Sequence, residues 1–312
     1  MNYRKLLTIV LAADDNYAQH LAVVAASVLI NATKPSNILI YVLSDSISLE
    51  NKKRIEQTIV GLSGNVVFIP FVSNSIQGFV SGHLSTAAYL RLLIPQLLPQ
   101  DVKKTIYLDT DLIVLTDIQE LWDINLEGKP VGAIPDYGIM ASSRMRKQKR
   151  ETLGMLESQP YFNSGVMVMD VQQWREHQYG SQCIASIKRN QFRHHDQDGL
   201  NKVFLDNWKV LPLRWNVIPP VFSLAMKVVL NKYYRKEAIA AKRNPAIMHW
   251  AGRYKPWEFP LQGVFNSLYY HYLHKTAFCD IPMPKPSKDM TGKSLKRQLY
   301  RMKWANFLAK YL

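Results

Sequence analysis

Short, unbroken apolar runs recur along this chain with helix-period segments between them, and that alternation restricts the fold more than any other feature. Residues 6–13, 38–43 and 66–71 are strand-length apolar runs. Between them Leu21, Ala25, Val28 and Leu29 fall at helical spacing, and residues 49–60 read as a polar helix. A run that is apolar at every position belongs to a strand covered on both faces, so helices must flank both sides of a mostly parallel sheet. The expected fold is α/β and doubly wound. With 312 residues, 47% of them hydrophobic, the chain is large enough to bury the core such a sheet needs.

Ligands of open α/β sheets sit beyond the carboxyl ends of the strands, and here those ends carry acids. Asp14 and Asp15 follow the first strand, Asp109-Thr110-Asp111 follows a strand at 105–108, and Asp136 follows one at 131–135. The three ends imply one shared pocket. Asp109 and Asp111 are alternate residues on extended chain and point the same way, so their carboxylates repel unless a cation or a proton lies between them. A divalent metal satisfies that need; hard oxygen ligands select Mn²⁺ or Mg²⁺, and an added imidazole favours Mn²⁺. Further along, the pattern predicts a helix over 87–93, begun at Ser85-Thr86 and stopped by Pro95. It predicts a strand over 166–170, a short helix over 172–177 and a helix over 199–204. His194, His195, Asp196, Gln197 and Asp198 form the loop entering that last helix. The adjacent His194 and His195 point apart there. A late strand over 246–250 ends in His249, and the basic stretch holding Arg144, Arg146, Lys147, Lys149 and Arg150 reads as a solvated loop.

The balance of 39 Lys and Arg against 24 Asp and Glu leaves a formal charge of +15, which seeks an anionic partner. From Lys285 onward eight basic residues stand against Asp289 alone, interleaved with Tyr300, Trp304, Phe307 and Tyr311. Such a tail, beyond a linker holding Pro282, Pro284 and Pro286, suits a peripheral helix on an anionic membrane face, with a simple solvated helix as the other reading. The domain boundary is placed at 280/281. Two cysteines, Cys183 and Cys279, exclude a disulfide framework and fit a reducing compartment, so a cytoplasmic location is expected. Arg4 and Lys5 before the first apolar run imitate a signal peptide, but Asp14-Asp15-Asn16 ends the run too early for a membrane span.

Five blocks then combine: Ala12-Ala13-Asp14-Asp15-Asn16-Tyr17, Tyr107-Leu108-Asp109-Thr110-Asp111, Tyr161-Phe162-Asn163-Ser164-Gly165-Val166, Asp196-Gln197-Asp198, and His249-Trp250-Ala251-Gly252 with Lys255-Pro256-Trp257. In order and spacing, across about residues 6 to 258, they resemble the family 8 retaining glycosyltransferases, in particular bacterial lipopolysaccharide and lipo-oligosaccharide galactosyl- and glucosyltransferases. The resemblance implies a GT-A-type, Rossmann-like nucleotide-sugar-binding fold over residues 1–280. It implies that Asp109, Asp111 and His249 hold Mn²⁺ against the diphosphate of UDP-galactose or UDP-glucose, with Lys255 and the backbone at Gly252 on the same diphosphate. Ala12, Asp14, Asn16 and Thr110 correspond to uracil and ribose contacts. Arg91, Asp109, Asp136, Asn163, Asp196 and Gln197 correspond to donor-sugar contacts, Gln197 being nearest the anomeric carbon. His83 falls in a region matching acceptor contacts, and the basic cluster from Arg144 to Arg150 corresponds to a mobile segment that folds over donor and acceptor, the second reading of that stretch beside a solvated loop. The candidate catalytic residues are thus Gln197, Asp196, Asp136 and Asn163. An amide is a poor nucleophile, so same-face attack is favoured over a covalent glycosyl-enzyme, with Asp196 the alternative nucleophile.

Other functions fit the same residues less fully. The donor chemistry could serve a protein or glucan acceptor instead of a lipid-linked oligosaccharide, or the chain could bind a sugar nucleotide without turning it over. A nucleic-acid-binding protein would use the +15 charge but leave Asp109, Asp111 and His249 idle, and the sequence carries no zinc finger, helix-turn-helix or RNP-like strand. No nucleic acid partner is expected.

Overall fold

The computed structural model describes residues 6–71, 86–190, 192, 194–222, 232–252, 255–258 and 264–282. The N-terminal half alternates as expected: β1 (Leu7–Ala13), α1 (Ala18–Asn31), β2 (Ile38–Asp45), α2 (Leu49–Gly61) and β3 (Asn65–Phe71). Next come α3 (Thr86–Leu97), β4 (Lys104–Leu108), β5 (Leu112–Val114), α4 (Gln119–Trp122), β6 (Val131–Pro135), α5 (Tyr137–Met140) and α6 (Ser143–Leu153). The remaining elements are β7 (Phe162–Asp170), α7 (Val171–Glu176), α8 (Tyr179–Arg189), α9 (His195–Phe204), β8 (Lys209–Val210), α10 (Lys232–Arg243), β9 (Ile247–His249) and α11 (Val264–Leu273).

Seven strands form the central sheet in the order β3-β2-β1-β4-β7-β6-β8. The β1–β2, β2–β3, β1–β4 and β6–β8 pairs are parallel, whereas β7 runs antiparallel to both β4 and β6. The period-2 geometry of β1 divides the core in two. Leu7, Ile9, Leu11 and Ala13 pack on the α1 side, while Val10 and Ala12 join Leu90, Leu92 and Tyr107 on the other. All seven β1 residues are buried, which explains why its sequence lacks any polar alternation.

Four expectations need correction. The α3 helix runs through Pro95 to Leu97 instead of stopping before it. Proline forfeits one helix hydrogen bond, but burial of Tyr89, Leu90, Leu92 and Ile94 holds the helix together, and Arg175 covers the carbonyls of Pro95, Leu98 and Pro99 at 2.6–2.9 Å. Strand β7 begins at Phe162, four residues before the expected start, because the polar Asn163 and Ser164 lie inside the sheet with side-chain partners. Helix α9 begins at His195, so the acids expected in a loop form its first turn. The basic stretch after Asp136 is helix α6, capped by the Ser142 side chain and ended by Gly154 at φ 71°, with Lys149 buried.

The expected late strand, β9, forms a small antiparallel sheet with β5, which the sequence pattern does not announce, and this pairs Leu112 with His249. On the same side of the large sheet, α1 packs on both β5 and α11. His20 stacks on Trp257 with ring centroids 3.6 Å apart, and its Nδ1 lies 2.6 Å from the Tyr269 hydroxyl. The basic tail and His83 lie outside the described residues. None of the described helices is long and apolar enough to cross a membrane.

Burial pushes the His20 imidazole down to about 3, outweighing the nearby Asp111 charge. The unfolded chain therefore takes up a proton that the folded chain refuses, and stability present above pH 6.5 is lost as pH falls from there toward 3. His20→Gln is expected to flatten the pH dependence of unfolding free energy across that window by up to about 1.4 kcal/mol per pH unit, the slope of one proton. Denaturant unfolding at a series of pH values measures it; parallel curves for both proteins would contradict it.

Candidate active site

The site lies where β4 and β9 end and β7 begins, and backbone pairing assembles it. The Asp109 N–H donates to the Gly165 carbonyl at 2.8 Å, and the Trp250 N–H donates to the Asp111 carbonyl at 2.9 Å. These contacts bring residues from three distant parts of the chain together. One carboxylate oxygen each from Asp109 and Asp111 and one ring nitrogen of His249 lie within 4.8 Å of one another. His249 Nε2 is 3.0 Å from Asp111 Oδ1 and 3.8 Å from Asp109 Oδ2. Neighbouring ligands on an octahedral ion with arms of about 2.1 Å lie about 3 Å apart, so a modest adjustment seats a divalent cation here.

Three further observations fit that cation. The His249 Nδ1–H donates to the Asn216 side-chain oxygen at 2.8 Å, which fixes the tautomer and leaves Nε2 as the ligand. Asp109 Oδ1 is held by the Tyr107 hydroxyl at 2.7 Å and by Arg91 at 3.0 Å, leaving Oδ2 for the ion. Gly165 supplies the space: a Cβ there would stand 2.4 Å from His249 Cε1 and 2.7 Å from Asp109 Oδ2. The oxygen, oxygen, nitrogen donor set suits a divalent metal of the Mn²⁺ or Mg²⁺ type. Lys255 pairs with Asp111 Oδ2 and also donates to the Trp250 carbonyl at 2.8 Å. Burial alone would raise the Asp111 carboxyl, but His249 and Lys255 hold it well below the usual carboxylate range.

Two cavities meet at this cluster, and both are bordered by Arg91, Asp109 and Asp111. The smaller, of about 270 Å³, is lined by Ala12, Asp14, Tyr17, Tyr107 and Thr110. The larger, of about 500 Å³, is lined by Asp136, Asn163, Asp196, Gln197, His249 and Gly252, with His194 and His195 at the start of α9. The carboxylates at three strand ends thus border one continuous site in two lobes. Asn16 is exposed in the 3₁₀ turn after β1 and lines neither cavity, and Asp14 caps that turn by accepting the Tyr17 N–H at 3.0 Å. Gly252 is exposed at φ 98°, a backbone conformation that favours glycine.

The polar residues of the larger lobe hold one another in fixed orientations. Asn216 donates to Asn163 Oδ1 at 2.8 Å, and Asn163 donates to Asp136 Oδ2 at 3.2 Å. The same Asp136 oxygen accepts from Gln197 Nε2 at 3.0 Å. Arg91 faces Asp196 in an ion pair of 3.1 Å whose Nε–H falls outside hydrogen-bond geometry, and it donates to Ser164 Oγ at 2.9 Å. Burial raises the Asp196 carboxyl, with Arg91 opposing that shift. Gly165, Asn216, Tyr161, Lys149 and Asp198 were not among the expected site residues. Gly165, Tyr161 and Asp198 lie inside the family blocks, but nothing in the spacing marks Asn216 or Lys149.

Residues 8–259 match the family model described as glycosyl transferase family 8. The chain belongs to this family. It is 32% identical over 290 residues to general stress protein A of Bacillus subtilis, covering 91% of this chain and 99% of that one. It is 24% identical over 261 residues to lipopolysaccharide 1,2-glucosyltransferase of Escherichia coli, covering 82% and 74%. Among solved structures it is similar to the galactosyltransferase LgtC in complex with donor and acceptor sugar analogs, with a TM-score of 0.76, 25% identity, and coverage of 91% of this chain and 99% of that one. The fold is accordingly the GT-A-type α/β fold, and the protein is a glycosyltransferase.

Proposed function

We propose that this protein is a retaining hexosyltransferase that moves galactose or glucose from a UDP-sugar to a lipopolysaccharide or lipo-oligosaccharide core acceptor in an Mn²⁺-dependent reaction. The observation that carries this reading is the Asp109, Asp111 and His249 cluster at the junction of two cavities. Similarity to a lipopolysaccharide glucosyltransferase and to a galactosyltransferase supports the choice of donor and acceptor class.

Asp109, Asp111 and His249 would hold the ion, with Mg²⁺ the alternative to Mn²⁺. When bound, such an ion neutralises the charge that develops on the departing diphosphate. In this reading Ala12, Asp14 and Thr110 receive the nucleoside in the smaller lobe, and Lys255 and the Gly252 backbone meet the diphosphate. Asn16 would act from the edge of that lobe. Arg91, Asp136, Asn163 and Asp196 present charged and amide groups to the sugar hydroxyls in the larger lobe, where paired hydrogen bonds read them. Gln197 faces the reacting carbon with its carbonyl already accepting the Ser164 N–H at 3.1 Å. Its amide offers no free nucleophile, which favours attack by the acceptor hydroxyl on the face UDP leaves, with UDP taking the proton.

A panel of UDP-sugars with and without Mn²⁺, read by UDP release, tests the donor and metal together. Turnover is expected with UDP-galactose or UDP-glucose and Mn²⁺, and Asp111→Asn is expected to abolish it while keeping the wild-type circular dichroism. Unchanged activity in Asp111→Asn would contradict the metal role.

We further propose that the basic, aromatic segment 281–312 holds the enzyme peripherally on an anionic membrane surface at the cytoplasmic face, beside its lipid-linked acceptor. Removal of residues 287–312 is expected to leave hydrolysis of the soluble donor intact and to weaken sedimentation with anionic vesicles; equal vesicle binding refutes the attachment.

A further inference from the structure

A buried ion pair lies behind the residue that faces the reacting carbon. Lys149 of α6 is 4% exposed and Asp198, in the first turn of α9, is 0% exposed, with Nζ 2.7 Å from Oδ2. Neither side chain lines a cavity of the site. Taking two charges out of water costs about as much as their attraction returns, and well-packed apolar residues often serve stability as well or better. Stability is therefore a weak reason for this pair, and its connections give a stronger one.

Asp198 Oδ1 accepts the Tyr161 hydroxyl proton at 2.6 Å, and Oδ2 accepts the His194 backbone N–H at 2.9 Å. With its proton committed to Asp198, the Tyr161 oxygen presents a lone pair to Gln197 Nε2 at 3.2 Å. Gln197 Nε2 also donates to Asp136 Oδ2 at 3.0 Å, and its Oε1 accepts the Ser164 N–H at 3.1 Å. A half-turn of this amide would set its NH₂ against the Ser164 N–H and its oxygen against the Asp136 carboxylate. Only one orientation satisfies all three neighbours.

We propose that Lys149, Asp198 and Tyr161 form a positioning unit for Gln197. The ion pair fixes the first turn of α9 against α6 and directs the Tyr161 O–H away from Gln197, so that the amide nitrogen finds an acceptor. Lys149 secures α6 as well, and Met145, one turn earlier on that helix, lines the larger cavity. The inference rests on the proposed placement of Gln197 beside the reacting carbon. Pre-organisation of this kind sets the rate of a chemical step more than the affinity for its substrate.

Tyr161→Phe is the sharpest test, because it keeps the ring and the ion pair and deletes the oxygen facing Gln197. Against wild-type turnover of the UDP-sugar with Mn²⁺, kcat is expected to fall about tenfold to a hundredfold. KM for the donor stays within about threefold and UDP affinity is unchanged, since Gln197 does not border the smaller cavity. Lys149→Met should show the same split with a lower Tm, and Lys149→Arg should restore most of kcat. A merely structural part would lower Tm and leave kcat per folded molecule alone, so a kcat within about twofold of wild type in Tyr161→Phe overturns the proposal. Should wild type turn over no UDP-sugar, the donor reading fails, yet the positioning is still decided by the side-chain ¹⁵N signal of Gln197. That signal is expected to move and broaden in Tyr161→Phe; an unshifted signal overturns the positioning unit.

Discussion

Two carboxylates aimed at one point repel, and the architecture around them is organised to compensate for that repulsion. Asp109 and Asp111 face the same space, with Arg91 on the first, Lys255 on the second and the His249 ring between them. Each surrounding cation takes one carboxylate oxygen. Asp109 Oδ2 and Asp111 Oδ1 still converge on His249 Nε2, and that remaining concentration of donor atoms is what a divalent ion relieves. Gly165 keeps the space open, since any side chain there would collide with both the imidazole and Asp109.

The sheet topology makes this convergence possible. Asp109 and Asp111 sit between β4, which belongs to the large sheet, and β5, which belongs to the small one; the chain changes sheets at the triplet itself. The β5–β9 pairing then delivers His249 from the far end of the sequence. From His249 a run of polar contacts passes through Asn216, Asn163 and Asp136 to Gln197. The Asp109, Asp111 and His249 cluster and Gln197 are therefore parts of one hydrogen-bonded framework. Each buried polar atom in it has a partner, as a low-dielectric interior requires.

Much of this was legible in the sequence because the physical signal was local. The continuous apolar runs of β1 and β2 announce a doubly covered sheet, and the acids after β1, β4 and β6 mark the strand ends where ligands bind. The family blocks placed Asp109, Asp111 and His249 together. Where sequence reading departed from the structure, tertiary contacts decided the outcome. Pro95 stays within α3 because its neighbours are buried and Arg175 covers the helix end. Asn163 looks like a turn residue until Asp136 and Asn216 are found beside it within the sheet. Lys149 looks like one more member of a solvated basic cluster, and only the packing of α6 on α9 buries it against Asp198. Asn216 has no local signature, since its role is defined by a histidine 33 residues away.

The +15 charge of the chain acts on a different scale from the site. Within the cleft, cations and acids alternate closely, so the local field is set by pairs such as Arg91 with Asp109 and Asp196. The surplus of the basic C-terminal segment stands apart in sequence from the residues of the cleft, and under the proposed function it bears on the surface the enzyme works at, not on the chemistry. Pulsed electron paramagnetic resonance of Mn²⁺ added to the protein with UDP decides whether Asp109, Asp111 and His249 grip one ion. One bound Mn²⁺ per chain, coupled to a single imidazole nitrogen that disappears in His249→Asn, with binding abolished by Gly165→Ala in a folded protein, is the expected result. Mn²⁺ bound without nitrogen coupling, or bound equally well by Gly165→Ala, would show that these three residues do not hold the ion.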